Sequence, residues 1–337
     1  MPKVLITGAN GFVGPHLGVA LRHRFGDRVA IHATSREGGD VPVLGAIEPL
    51  DVTDEQAVER TVDRVGPSHI VNLAGLAAIP TAIANTAMAW QVHLFGSLNI
   101  ANAILMRCPD CVLLSVGSGQ VYGASALSGL ALDETTLLAP TNVYEATKAA
   151  GDLALGALTR QGLRCIRFRA FNHTGPGQSE DFAIPSFAMQ IARIEAGRQP
   201  PVMQVGNLDA ERDFLDVRDV TAAYVLAVAK SDELAPGTIL NLASGIPRRI
   251  SDILGRLQAL GKSTIKTEQD PARRRPSDTP RFVGSAALAR RLLGWAPEHQ
   301  FEDTLASVLD HCRGVRPPDQ FQVELLPAVV DRCRCVS

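Results

Sequence analysis

Tyr144 and Lys148 are the residues of this sequence whose types and spacing most directly suggest chemistry. On a helix, two side chains four residues apart lie on the same face, one turn apart. A cation beside a phenol favours the phenolate and lowers the tyrosine pKa from about 10 toward neutral pH. The pair therefore predicts a tyrosine that exchanges a proton with a sugar or alcohol oxygen. Because so short a motif also occurs by chance, an ordinary surface helix remains the alternative at this point.

A glycine-rich turn near the N-terminus predicts where a cofactor binds. Residues 3–7 (Lys-Val-Leu-Ile-Thr) predict a short buried strand, and residues 12–25 predict the helix that follows it. Between them, Gly8 permits a tight turn, Gly11 lets the backbone approach a pyrophosphate, and Gly14 lets the helix pack closely on the strand. This order of strand, turn and helix is typical of dinucleotide-binding sites, and the alternative is an ordinary glycine-rich turn.

The two motifs together resemble the extended short-chain dehydrogenase/reductase superfamily. The resemblance runs from residue 3 to about residue 312, and its glycine spacing is Gly-x-x-Gly-x-x-Gly, not the Gly-x-Gly-x-x-Gly of simple dehydrogenases. It implies a catalytic Ser or Thr after the fifth predicted strand, at residues 111–116. Aligning residues 121–123 (Val-Tyr-Gly) with the pattern of the family puts that hydroxyl at Ser118. The implied catalytic residues are Ser118, Tyr144 and Lys148.

Strands and helices alternate through the first half of the chain. The predicted strands cover residues 3–7, 28–34, 45–50, 69–74, 111–116 and 164–170, and the predicted helices cover 12–25, 54–65, 82–107 and 143–161. Such alternation is typical of a parallel sheet with helices on both faces. The sequence therefore predicts an α/β fold with a Rossmann-type, doubly wound parallel sheet.

The second half of the chain predicts a smaller, C-terminal α/β substrate-binding lobe. After Asn172 the chain has loops rich in Gly and Pro, with helices near 184–196, 219–230, 250–260 and 285–294 and a strand at 238–242. We assign residues 1–174 and 217–245 to the NADP(H)-binding Rossmann domain, and residues 175–216 and 246–315 to the lobe. Residues 316–337 are a C-terminal tail without a clear role.

Composition narrows the choice of partners and compartment. The 33 Lys and Arg residues nearly balance the 35 Asp and Glu residues, and the net charge of −2 predicts no nucleic acid and no membrane surface as a partner. Nothing resembles a signal peptide or a transmembrane run, so we expect a cytoplasmic protein with free thiols. Cys108 and Cys111 have metal-like spacing without a second pair, so no metal site is predicted. In relatives, the long helices at 82–107 and 143–161 form a dimer interface, which implies a homodimer.

The second predicted strand indicates which dinucleotide is preferred. An acidic residue at its tip would bind the 2′-hydroxyl of NAD, but residues 32–36 (His-Ala-Thr-Ser-Arg) contain none. Arg36 can bind a 2′-phosphate and Ser35 can add a hydrogen bond, which predicts NADP(H) and leaves NAD(H) open. The alternative is an ordinary surface arginine. By resemblance, Asp51 and Val52 contact the adenine. The remaining implied cofactor contacts are Gly8, Asn10, Gly11, Phe12, Val13, Gly14, Leu73, Ala74, Gly75, Tyr144, Lys148, Phe171 and His173.

At one position the chain departs from the pattern of the family. The family usually has Asn in an Asn-x-x-Gly motif on the helix after the pyrophosphate loop, whereas this chain has His93 before Leu94, Phe95 and Gly96. His93 can still hydrogen-bond the backbone, but its part in a proton relay stays open.

Four segments narrow the resemblance to the nucleotide-sugar-modifying branch, and most of all to GDP-4-keto-6-deoxy-mannose reductases. They are residues 171–178, 184–195, 206–214 and 275–278, in this order. A sugar nucleotide carries two phosphates, which arginine forks bind well, although each arginine taken alone more often forms a surface salt bridge. By resemblance, the substrate contacts are Ser118, Gln120, Asn172, Arg193 at the nucleotide end, Arg212 and Arg275 on the diphosphate, and Asp278 on the ribose.

Gln120 separates reduction from dehydration. By resemblance, dehydratases carry Glu two residues after the catalytic hydroxyl, and this carboxylate removes a proton beside a transient ketone. Gln cannot be such a base because an amide does not ionise usefully. We therefore expect NADPH-dependent reduction of the ketone at carbon 4 of a GDP-4-keto-6-deoxy-hexose, to the rhamnose or the talose configuration. The alternatives are a nucleotide-sugar 4,6-dehydratase or epimerase that retains its NAD(P) and uses another base, and a non-catalytic dinucleotide sensor.

Overall fold

An eight-stranded sheet forms the centre of the molecule. The computed structural model describes residues 1–273 and 279–314. The strands are β1 (Lys3–Thr7), β2 (Ala30–Ser35), β3 (Gly39–Val41), β4 (Gly45–Pro49), β5 (His69–Asn72), β6 (Val112–Ser118), β7 (Arg164–Ala170), β8 (Asn172–Thr174), β9 (Val202–Val205), β10 (Glu211–Asp216), β11 (Ile239–Leu242), β12 (Pro247–Arg249), β13 (Lys266–Gln269) and β14 (Arg281–Phe282). The central sheet has the order β11-β7-β6-β5-β1-β2-β4-β3, and its pairs are parallel except for the antiparallel pair of β3 and β4.

Helices cover both faces of this sheet. They are α1 (Val13–Phe25), α2 (Glu55–Val65), α3 (Ile79–Ala84), α4 (Thr86–Trp90), α5 (Ser97–Arg107), α6 (Val143–Leu158), α7 (Ala183–Glu195), α8 (Val217–Ala229), α9 (Ile250–Leu260), α10 (Ala287–Leu293) and α11 (Phe301–Cys312). Because successive strand residues point to opposite faces, Ile6 of β1 packs in one core with α1 and α8, and Leu5 packs in another with α2 and α5. None of these helices, within the described ranges, is both long and apolar enough to cross a bilayer. The predicted Rossmann-type α/β fold is confirmed.

The order of the strands determines where a ligand can bind. β1 lies in the middle of the sheet, with β2 and β4 on one side and β5, β6 and β7 on the other. The loops that follow β1 and β5 therefore lead away from each other and leave a crevice between them. In open α/β sheets, ligands bind in this crevice, outside the carboxyl ends of the strands.

The predicted helix over residues 82–107 is wrong as a single element. The structure has the short helix α4, a π-helix over Gln91–Gly96, and then α5. In the π-helix, His93 is only 3% exposed, and a Cβ added at Gly96 would lie 2.7 Å from Cγ2 of Val52. A π-helix is an irregularity that often marks a functional site, and the apolar period of the sequence does not reveal it.

A third apolar core lies among α7, α9 and α11. It contains Ile184, Ile191, Leu254, Leu257 and Leu305, together with further buried apolar residues. Two small sheets belong to this half of the chain, namely β12-β10-β14 with β8 beside β10, and the pair β13-β9. The sequence patterns do not predict α11. The boundaries assigned to the two lobes stay a prediction, and the tail at 316–337 lies outside the described residues.

Large apolar side chains are exposed on the helices that the resemblance assigns to a dimer. Met88 of α4 is 41% exposed, Phe95 of the π-helix 47%, and Leu153 of α6 59%. Single exposed apolar residues are common on monomers. The homodimer therefore stays a prediction.

An ion-pair cluster attaches α6 to β7. Oδ2 of Asp152 on α6 is 2.6 Å from Nη2 of Arg169, and Oδ1 is 2.9 Å from Nη1 of Arg167. The side chains of Asp152 and Arg169 are 6% and 5% exposed. Arg169 also donates to the hydroxyl of Tyr122 (3.1 Å), which donates to Asn241 (2.8 Å). Because one buried carboxylate serves two guanidinium groups, the position of α6 on the sheet depends on Asp152.

Asp152→Ala should lower the free energy of unfolding by about 3–5 kcal/mol, because it leaves two arginines buried without their counter-ion. Chemical denaturation at constant pH measures the change. Glu48→Ala is the control, because the Glu48–Arg64 pair is as short (2.6 Å) but 47% and 54% exposed. The control should lose less than about 1 kcal/mol. Equal losses in the free energy of unfolding of the two variants would show that burial does not strengthen the pairing of Asp152.

Candidate active site

A cleft of about 890 Å³ opens at the carboxyl ends of the central strands. Its wall includes residues at or just after the ends of β1, β5, β6 and β7, and it continues along the N-terminal part of α7 in the second half of the chain. Small-molecule sites have volumes of about 300–1,000 Å³. The cleft thus lies where the strand order predicts a ligand, and its size suits a dinucleotide cofactor together with part of a substrate.

The three predicted catalytic residues meet at the wall of this cleft. Ser118 is the last residue of β6, and Tyr144 and Lys148 lie in the first turns of α6, whose N-terminus is capped by the side chain of Asn142. Ser118 and Tyr144 are 8% and 7% exposed, and the Ser118 side chain interacts with the Tyr144 hydroxyl. Nζ of Lys148 is 3.5 Å from the carbonyl oxygen of Val116, which is at the limit for a hydrogen bond.

Burial sets the protonation of this set. Burial raises the pKa of Tyr144 above its ordinary value, and the hydrogen bond to Ser118 offsets only part of this rise. The lowering of the tyrosine pKa that the spacing predicts is therefore not observed, because loss of hydration dominates at Tyr144. Burial also lowers the pKa of Lys148 to about 8. At neutral pH the site thus holds a protonated phenol, which can donate a proton, beside a lysine that is still charged.

The glycine-rich turn forms a backbone cradle for a dinucleotide. Gly8 has a φ of 66°, and a Cβ there would lie 2.8 Å from the backbone nitrogen of Ala74. A Cβ at Gly14 would lie 1.9 Å from the carbonyl oxygen of Ala9, so the packing of α1 on β1 requires glycine. No side chain among the described residues caps the N-terminus of α1. Helix N-termini favour anions, so this turn suits the pyrophosphate of a nicotinamide dinucleotide.

Most of the predicted cofactor residues line the cleft. They are Gly8, Asn10, Gly11, Phe12, Val13, Arg36, Asp51, Val52, Leu73, Ala74, Gly75, Tyr144, Lys148, Phe171 and His173. Gly14 lies behind the wall, where it packs against Ala9. Ser35 also lies behind the wall: it is 2% exposed, and its hydroxyl donates to the carbonyl oxygen of Gly38 (3.2 Å). This hydrogen bond closes the turn after β2, so the hydroxyl is not directed to a ligand.

Glu37 is a cleft residue that the sequence analysis missed. Arg36 and Glu37 both line the cleft, and they form an ion pair of 3.2 Å with side chains 61% and 77% exposed. Glu37 lies one residue after the segment 32–36, which contains no acid. The ribose end of the cleft therefore offers a cation and an anion side by side.

The substrate half of the cleft contains three of the predicted contacts besides Ser118. Gln120, Asn172 and Arg212 line it, and Arg212 donates to the carbonyl oxygen of Thr279 (2.8 Å). Arg193 does not itself line this wall, but it pairs with Glu180 (3.0 Å), which does. The predicted contacts Arg275 and Asp278 lie outside the described residues. Arg273 lines the cleft and was missed, although the basic run at 273–275 signals it.

Fold and site together define the class of this chain. A Rossmann-type sheet with a glycine turn before α1, and a Ser-Tyr-Lys set at the end of β6 and the start of α6, is the architecture of an extended short-chain dehydrogenase/reductase. Within that class, the family model "GDP-mannose 4,6 dehydratase" matches residues 5–308. The chain belongs to this family.

Individual relatives agree with this membership. GDP-6-deoxy-D-mannose reductase of Pseudomonas aeruginosa is 32% identical over 91% of this chain and 96% of its own length. UDP-glucose 4-epimerase of Azospirillum brasilense is 29% identical over 88% of each chain. The solved structure of RMD from Pseudomonas aeruginosa complexed with NADPH has a TM-score of 0.80 and 28% identity, and the match covers 93% of this chain and 99% of that one. The predicted resemblance is confirmed, and the chain is an enzyme of the short-chain dehydrogenase/reductase type.

The pKa of Lys148 predicts how turnover depends on pH. Lys148 is charged below a pKa of about 8 and loses its charge above it, while the raised pKa keeps Tyr144 protonated. The cofactor-dependent kcat/KM, which reports groups of the free enzyme, should therefore fall as the pH rises through about 8. Lys148→Arg stays charged and should move the fall to higher pH, at a lower overall rate. A flat wild-type profile through this range would contradict the assignment.

Proposed function

We propose that this enzyme reduces the ketone at carbon 4 of a GDP-4-keto-6-deoxy-hexose, with NADPH as reductant, to a GDP-6-deoxy-hexose of rhamnose or talose configuration. The observation that carries the proposal is the Ser118, Tyr144 and Lys148 set with Gln120, in place of Glu, two residues after Ser118. The 32% identity to GDP-6-deoxy-D-mannose reductase of Pseudomonas aeruginosa supports the GDP-sugar.

The amide at position 120 favours reduction over dehydration. Elimination needs a carboxylate beside the ketone to remove a proton, and the amide of Gln120 cannot do this. Glu145 also lines the cleft, but its Oε2 accepts from the backbone N–H (2.6 Å) and the hydroxyl (3.0 Å) of Thr141. Its carboxylate thus supports the start of α6.

The residues of the chain supply the proton and hold the substrate oxygen. A bound nicotinamide cofactor supplies the hydride that converts the ketone carbon to an alcohol carbon. Ser118 donates a hydrogen bond to the ketone oxygen and orients it. Tyr144 donates its phenolic proton to that oxygen as negative charge develops on it, and becomes a phenolate. The charge of Lys148 stabilises the phenolate until solvent returns a proton.

Arg36 supports NADPH as the preferred cofactor. A guanidinium binds a phosphate through two parallel hydrogen bonds, whereas an acid binds the 2′-hydroxyl of NAD. The exposed pair of Arg36 with Glu37 is worth little, so Arg36 can leave Glu37 for a 2′-phosphate at little cost. Glu37 in turn provides an acceptor for the ribose of NADH, so we infer some use of both cofactors.

Incubation of the purified enzyme with GDP-4-keto-6-deoxy-mannose and NADPH tests the proposal. NADPH absorbance should fall in step with formation of one GDP-6-deoxy-hexose, and the product sugar gives the configuration at carbon 4. The UDP-glucose 4-epimerase relative motivates the alternative, an enzyme that retains its cofactor. Tightly bound oxidised cofactor without net NADPH consumption would favour this alternative and overturn the reductase.

Tyr144→Phe should abolish reduction and leave NADPH binding intact, because only the proton donor is lost. A fall in kcat of about 10²–10⁴-fold is expected for loss of a general acid. Tyr224→Phe is the matched control, because the buried hydroxyl of Tyr224 has no hydrogen-bond partner among the described residues. Normal turnover of the Tyr144 variant would contradict its role.

Arg36→Ala should raise the KM for NADPH by about tenfold to a hundredfold, the value of a hydrogen bond to a charged group. The KM for NADH should stay nearly unchanged, because NADH has no 2′-phosphate. Glu37→Gln has the opposite charge effect and should lower the KM for NADPH. Equal changes for the two cofactors in either variant would show that this pair does not select between them.

A further inference from the structure

His93 is a buried histidine of the π-helix that the proposed mechanism does not use. Both of its ring nitrogens have a partner. The backbone N–H of Leu76 donates to Nε2 (2.9 Å), and Nδ1 is 2.9 Å from the hydroxyl oxygen of Thr147. The Thr147 hydroxyl donates in turn to the backbone carbonyl of Tyr144 (3.0 Å).

These hydrogen bonds determine the tautomer of His93. A backbone N–H can only donate, so Nε2 is the acceptor and carries no proton. The proton of the Thr147 hydroxyl is already used on the Tyr144 carbonyl, so Thr147 accepts and Nδ1 donates. His93 is therefore neutral, with its proton on Nδ1. Burial, and then the nearby charge of Lys148, lower the pKa of His93 to about 2, which keeps this form at every working pH.

The His93 ring connects two parts of the cleft wall. On one side it binds Leu76, the last residue of the cofactor loop, by which we mean residues 73–76 after β5, all of which line the cleft. On the other side it binds α6 through Thr147 and packs edge-on against the ring of Tyr144, with centroids 5.7 Å apart and planes at 89°. One rigid ring thus spans the distance from the cofactor loop to the catalytic helix.

Two glycines make this arrangement possible. A Cβ at Gly75 would lie 3.1 Å from Nζ of Lys148 and 3.3 Å from Nε2 of His93. A Cβ at Gly151 of α6 would lie 2.6 Å from the carbonyl oxygen of His93. The π-helix and α6 therefore approach closely here. A neutral ring suits the position, because a second cation beside Lys148 would disfavour its charged form.

We propose that His93 is a positioning residue, which holds the cofactor loop at Leu76 in register with the catalytic helix at Thr147. The role requires a rigid side chain with one acceptor and one donor, which neutral histidine provides. A displacement of about 1 Å between reacting groups costs about 10²-fold in rate. The turnover arm of the test rests on the proposed reductase function, but the amide-exchange and cofactor-binding arms do not.

His93→Leu and His93→Gln form the first matched pair. Leucine fills similar space without hydrogen bonds, and glutamine retains one acceptor and one donor group. In His93→Leu, we expect the Leu76 amide to lose protection from hydrogen exchange in the cofactor-free protein, and the Kd for NADPH to rise about tenfold. We also expect kcat to fall about 10²-fold with the KM for the sugar substrate unchanged. His93→Gln should recover most of each effect.

Thr147→Val and Thr147→Ser form the second pair, which tests the contact with α6. Valine matches threonine in shape and removes the acceptor for Nδ1, whereas serine retains it. Thr147→Val should lower kcat, and Thr147→Ser should not. Because both residues act through one connection, the double variant His93→Leu/Thr147→Val should be no slower than His93→Leu alone.

Several outcomes would overturn the proposal. If the Leu76 amide of His93→Leu is as protected from hydrogen exchange as in the wild type, and the Kd for NADPH is unchanged, the His93 ring does not hold the cofactor loop. Additive losses of kcat in the double variant would show that the two residues do not act through one connection. Losses in His93→Leu that follow its melting temperature, and that His93→Gln does not recover, would show general destabilisation. If His93→Leu does not fold, the Thr147 pair decides alone. An inactive wild type whose His93 and Thr147 variants still change amide exchange and NADPH binding would refute the reductase and leave the positioning role standing.

Discussion

The attachment of α6 to the sheet is the constraint on which the rest of the site depends. Tyr144 and Lys148 both stand on this helix, while Ser118 stands on β6, so their meeting requires helix and strand to keep one relative position. The pairing of Asp152 with Arg167 and Arg169 of β7 fixes this position where solvent is largely excluded. A buried cluster of charges tolerates few alternative arrangements, because any other leaves a charge unpaired. This restriction keeps Tyr144 and Lys148 of α6 close to Ser118 of β6.

Burial at the cleft wall shifts the pKa of Tyr144 and the pKa of Lys148 in opposite directions. It favours the neutral form of both groups, which raises the pKa of Tyr144 and lowers that of Lys148. The phenol consequently keeps a proton that it can donate, and the lysine loses its charge near pH 8. His93 adds no positive charge beside Lys148, since the hydrogen bonds at both its nitrogens keep it neutral. The protonation of Tyr144 and Lys148 therefore depends on the exclusion of water from the cleft wall.

The sequence predicted glycines with local backbone roles better than it predicted the direction of side chains. Gly8 and Gly11 are recognisable in the sequence because their role is local. A tight turn, or a backbone that approaches a ligand closely, requires glycine in any fold. Ser35 was expected at the cleft from its residue type and position, yet its hydroxyl donates to the carbonyl oxygen of Gly38 and closes the turn after β2. Arg193 was expected there by resemblance, and it reaches the cleft only through its ion pair with Glu180. Such directions depend on neighbours distant in sequence or on the exact turn, and residue type does not encode them.

The sequence by itself determined the class of fold and the glycine turn, since these depend on short spacings and on the alternation of strands and helices. Its resemblance to the family indicated Ser118, Tyr144 and Lys148 as the catalytic set. The tertiary structure alone decided the protonation of Tyr144, the π-helix that buries His93, and the presence of Glu37 and Arg273 at the cleft. These features depend on burial and on contacts between segments far apart in the chain. Water exclusion and side-chain direction exist only once the chain is packed, so a linear pattern cannot carry them.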